Sequence, residues 1–127
     1  MRRLRLATLL LLGATATCAA EPNTGFVCTF KAGTTLTYGA GKFKRQPAKP
    51  LSVEIASIDL DGQKAELVTA KGKGALRIVR ALNANHFLEV ANEGFLNLTT
   101  IYDKDPATGT LPAVHSRHFG ILGQPVF

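Results

Sequence analysis

Long apolar runs are missing from this 127-residue chain: the most apolar stretch, Leu6–Leu12, falls far short of the roughly 20 residues a membrane-spanning helix needs. Serine is scarce. Ser52, Ser57 and Ser116 are the whole supply, and none sits in the strand-to-helix turn that exposes a serine nucleophile. Phosphate-binding glycine motifs also fail. Gly39-Ala40-Gly41-Lys42 has no glycine five residues before Gly41, and Phe43 stands where a hydroxyl is required. Gly72-Lys73-Gly74 lacks the third glycine of a dinucleotide fingerprint, because Arg77 occupies that place. Glu54, Asp59 and Asp61 form no acid–base pair, since the two aspartates flank a turn and explain themselves there. The chain therefore reads as non-catalytic and calls for no cofactor.

What is present begins with an address. Arg2, Arg3 and Arg5 precede the apolar run, and small residues fill Ala14–Ala20, the form of a secretory signal peptide. Cys18 and Ala20 offer small side chains at the two positions a signal peptidase reads, so the expected cut follows Ala20. Residues 1–20 then form the leader and 21–127 a single domain, periplasmic or secreted, with no transmembrane segment. Lipidation at Cys18 is the alternative, although Thr15-Ala16-Thr17 departs from the usual lipobox. Removing the three leader arginines leaves twelve basic and nine acidic residues, a net charge of +3, which gives no case for nucleic acid. It also leaves Cys28 alone in an oxidising compartment. There it reads either as a buried small hydrophobe or as half of a disulfide.

Patterning after the leader is that of strands and short turns. Phe26–Phe30 alternates with Phe26, Cys28 and Phe30 on one face, and threonine-rich Thr34–Tyr38 suits a second strand. Gly39–Pro50 carries Lys42, Lys44, Arg45 and Lys49 without an acid, and its glycines and prolines predict an exposed loop. Leu51–Leu60 alternates but slips phase at Ala56-Ser57, which predicts a bulge. Asp61-Gly62 predicts a type I′ hairpin turn into Gln63–Ala70. Further strands are expected at Leu76–Leu82, His86–Val90, Phe95–Tyr102 and Leu111–Leu122. Seven or eight strands at this spacing predict an all-β fold, a small antiparallel β-barrel or β-sandwich. Its expected core is Phe26, Phe30, Val53, Ile55, Leu67, Ile78, Leu88, Val90 and Leu98.

Polar residues that turns do not explain cluster at His115-Ser116-Arg117-His118. His86 on a neighbouring strand would meet His115 as an imidazole pair for zinc or copper. Arg117 offers a planar fork to a carboxylate or phosphate, or else pairs with Glu89 or Glu93. The expected binding set is His86, Glu89, His115, Arg117 and His118. Two basic segments, Lys42–Lys49 and Lys71–Arg80, suit an anionic envelope surface or solvated loops. The reading is an exported binding or envelope-associated module for an envelope protein, a glycan or an anionic surface. A histidine-held metal is the alternative. Asn97-Leu98-Thr99 matches a glycosylation sequon and carries no weight by itself.

The runs Asn83–Val90, Gly94–Tyr102 and Pro112–His118 resemble a family of uncharacterised small exported proteins of α-proteobacteria, of rhizobial type. The resemblance implies export and no activity. It also implies a second cysteine beyond Gly123-Gln124-Pro125-Val126 as the partner of Cys28. Phe26-Val27-Cys28-Thr29-Phe30 followed by Gly33 is more loosely similar to the periplasmic lysozyme inhibitors, which are small signal-bearing β-barrels.

Overall fold

The computed structural model describes residues 16–21, 25–92 and 95–120. They form ten strands: β1 (Ala16–Glu21), β2 (Gly25–Phe30), β3 (Thr34–Gly39), β4 (Lys42–Pro47), β5 (Leu51–Asp59), β6 (Lys64–Thr69), β7 (Gly72–Arg80), β8 (Ala84–Asn92), β9 (Phe95–Tyr102) and β10 (Leu111–Phe119). Eight close into an antiparallel barrel in the order β1-β10-β9-β8-β7-β6-β5-β2. The fold class expected from the sequence is the one observed, and the barrel is the form it takes.

β3 and β4 stand apart as a hairpin between β2 and β5. The exposed loop expected at Gly39–Pro50 is thus corrected: Lys42–Pro47 is a strand, paired from Gly39↔Lys42 to Thr34↔Pro47. Its tip is Ala40-Gly41, both at positive φ, the backbone a two-residue hairpin demands. Lysine and arginine hid this strand because a two-stranded ribbon can leave both faces to water.

The bulge lies where the phase slip put it, with the β5–β6 register shifting between Ala56 and Asp59 and Ser57 at φ 53°. The turn that follows differs from expectation. Gln63 takes the positive φ, not Gly62, and Asp59 Oδ1 accepts from the Gly62 amide at 2.9 Å. A Cβ at Gly62 would collide with the Asp59 carboxylate, which would have to swing aside and give up this bond.

Inward-facing Cys28, Phe30, Val53, Ile55, Ala65, Leu76, Ile78, Phe87, Ile101 and Ala113 build the core, with Phe26 and Leu67 half-buried against it. Leu88 and Leu98 correct the expected core: they face each other across β8 and β9 on the outside, half-buried. The side chain of Val90 lies outside the described residues. In β8 the inward apolar side chain is Phe87, 1% exposed. Hydrophobicity misled here because this part of the wall keeps polar side chains inside.

β1 spans the expected leader boundary. Ala16–Glu21 pairs with β2 along its whole length and meets β10 at Thr17↔Pro112 and Cys18↔Leu111. Small residues Ala16, Cys18 and Ala20 face inward where β2 contributes Phe30, Cys28 and Phe26. Cys18 and Cys28 lie directly opposite and form a disulfide. Cys28 is therefore paired, and its partner precedes it in the chain instead of lying beyond Val126. Pro112, lacking an amide hydrogen, donates nothing to the β1–β10 seam where it faces Thr17.

Candidate binding site at the basic end of the barrel

Antiparallel order brings the end of β2, the start of β5, the β6–β7 turn, the end of β8, the start of β9 and the end of β10 to one mouth. There the inner wall turns polar. Register sets Glu89 beside Asn97 and Asn97 beside Arg117, with Phe87, Thr99 and His115 forming the row beneath. Asn97, only 6% exposed, accepts from Arg117 Nε at 2.8 Å and donates from Nδ2 to Glu89 Oε2 at 2.7 Å. A buried amide thus spans a base and an acid, in place of the direct pair of Arg117 with Glu89 that was one of the alternatives in the sequence. Gly74 makes the room, since a Cβ there would lie 3.2 Å from Glu89 Oε1.

His115 sits one layer deeper. Its Nδ1 is 2.9 Å from Thr99 Oγ1, and its ring lies 5.7 Å from that of Phe30. Nε2 is buried and meets no hydrogen-bond partner among the described residues. Burial, and then the nearby Arg117 charge, push the His115 pKa down to about 4, so the ring is neutral at pH 7.

Sequence reasoning placed five residues in one site, and the barrel gathers three of them. Glu89, His115 and Arg117 line the mouth. His86 and His118 point the other way, as strand alternation requires. His86 Nδ1 lies 2.8 Å from Thr100 Oγ1 on the outer surface. The imidazole pair proposed for a metal is therefore corrected: His86 and His115 occupy opposite faces of one sheet. No group of three metal-ligating side chains occurs among the described residues. Asn97 and Thr99 were missed, because Leu98 between them, expected in the core, sets the opposite phase. Buried and bonded to Glu89, Asn97 is not presented for glycosylation.

Charge is distributed along the barrel axis. Lys31, Lys42, Lys44, Arg45 and Lys49 surround the hairpin that leaves the polar mouth, and Lys71, Lys73 and Arg117 add to this end. All four aspartates, Asp59, Asp61, Asp103 and Asp105, lie toward the far end with Lys64, Arg80 and Lys104. The second basic segment is partly neutralised, since Lys73 Nζ meets Glu66 Oε2 at 3.1 Å across β6 and β7. On the hairpin tip Tyr38 and Phe43 pack together at 5.0 Å while remaining 41% and 61% exposed. The far mouth holds a cavity of about 300 Å3 lined by apolar Ala20, Phe26, Ile58, Leu60 and Phe87, with Asn85.

Comparison with protein-family models, curated proteins and solved structures finds no match to this chain.

Proposed function

We propose that the protein is an exported, non-catalytic binding module that holds an anionic partner at the basic mouth of its barrel, with Arg117 as the anchor. The observation that carries this reading is the tether on Arg117. An exposed guanidinium is fixed through Nε by a buried asparagine, which leaves its two Nη groups as a fork for a carboxylate or phosphate. Lysines around the hairpin raise the local concentration of anions and speed their encounter. Neutral His115 supplies polarity beneath the fork without adding a charge that Glu89 would have to balance. The leader and the resemblance to small exported proteins support the periplasm or the exterior as the place of work.

The test is retention of the purified protein on phosphatidylglycerol vesicles and on a carboxylate-rich glycan, each against a neutral control. Arg117→Ala should weaken retention at least tenfold; because it also leaves the buried Asn97 Oδ1 without its partner, a stability loss of about 1–3 kcal/mol is expected, and retention is read well below the variant's thermal midpoint. Equal retention by both proteins would sink the assignment of Arg117. Retention by neither anion would sink the reading as a whole.

A further inference from the structure

The leader and the barrel make incompatible demands on the same residues, and their resolution identifies the processing site. Cleavage after Ala20 would remove Thr17, Cys18, Ala19 and Ala20. That discards all but the last residue of β1, both of its register pairs with β10, and the partner of Cys28. β2 and β10 would become open sheet edges, with unpaired amides and carbonyls beside a core that had lost a buried side chain.

A second peptidase pattern lies four residues upstream. Ala14-Thr15-Ala16 places alanine at both positions that must be small, and it ends four residues after Leu12, the last leucine of the apolar run. The barrel tolerates this cut. Ala16 contributes one pair, to Phe30, while Thr17↔Pro112 and Cys18↔Leu111 remain.

We infer that signal peptidase hydrolyses the Ala16–Thr17 bond, so that mature β1 begins at Thr17 and Cys18 is carried into an oxidising compartment to pair with Cys28. The Ala16–Thr17 C–N bond breaks; water supplies the second carboxylate oxygen of Ala16 and a proton to the freed α-amine of Thr17. The two cysteine thiols then lose two electrons and two protons to the thiol oxidant of that compartment and form the disulfide. A sulfur in this bond cannot carry a lipid thioether, so the same placement opposes lipidation at Cys18. The inference rests on the export reading and is independent of the anionic site.

The full chain, expressed with its own leader in a Gram-negative host and recovered from the periplasm, gives the answer by intact mass. A species starting at Thr17, unreactive to thiol alkylation until reduced and then alkylated twice, is expected. A species starting at Glu21 with one reactive thiol overturns the inference and leaves the export reading intact. An unprocessed chain overturns both, and a diacylglycerol on Cys18 overturns the inference alone. Ala16→Phe should accumulate precursor, because a bulky side chain does not fit the peptidase, whereas Ala20→Phe should be processed at the same bond. The reverse outcome overturns the site even if neither variant folds afterwards, since cleavage accompanies translocation.

Discussion

Asn97 donates to Glu89 across the β8–β9 ladder at 2.7 Å, and this bond ties an acid to the inner wall of the barrel. The carboxylamide oxygen of Asn97 faces Arg117, so one buried side chain satisfies two charged neighbours at once. Asn97→Leu removes both bonds while keeping the volume. We expect a loss of about 1–3 kcal/mol, the usual consequence of leaving buried or half-buried polar groups without partners. Denaturant unfolding measures it, and an unchanged midpoint would show that water replaces the amide without loss.

Acid should weaken the fold through His115. Its pKa is about 4 in the folded state against 6.5 for an ordinary histidine, so the unfolded chain binds the proton first as pH falls. Stability tied to this group is present above pH 6.5, declines between 6.5 and about 4, and levels off below. Allowing for partial exposure of the ring, the loss is on the order of 1–2 kcal/mol. His115→Gln should flatten the difference in melting temperature between pH 7 and pH 4.5 relative to wild type. Parallel curves for the two proteins would exclude His115 as the source.

The Cys18–Cys28 bond closes a short loop within the β1–β2 hairpin. Constraining so few residues in the unfolded chain gives about 2–3 kcal/mol in the chain-entropy account. Cys28→Ala should lower stability by that amount, and reductant should lower wild type toward the variant without affecting the variant itself.

Charge reversal on the hairpin separates electrostatics from folding. Lys42→Glu, Lys44→Glu and Arg45→Glu together should abolish retention on anionic vesicles and leave the melting temperature nearly unchanged, because all three side chains are exposed. Wild-type retention should fall with added salt as screening shortens the range of attraction. Salt-independent binding would argue that Tyr38 and Phe43 carry the contact instead.

His115, Arg117 and Glu89 were legible as candidates because no turn accounted for them. Their grouping was legible only in part. Strand alternation puts residues 115 and 117 on one side, but it does not say whether that side is the interior. Asn97 and Thr99 decide that question, and they sit between leucines that a hydrophobic count sends inward. The inner wall here is polar because three adjacent strands hydrogen-bond their side chains to one another, a relation between residues about 8 to 20 positions apart.

Local chemistry determined most of the strands, though not β1 or β4, together with the bulge at Ala56-Ser57 and the all-β class, since alternation, β-branched residues and turn formers act over a few positions. Tertiary structure alone decided the closure of the barrel and the partner of Cys28. Closure needs β1 to reach both β2 and β10, a match of edges from opposite ends of the chain. No local pattern in Ala16–Glu21 announces it, because small inward residues become informative only when the aromatic and sulfur side chains opposite them are in place.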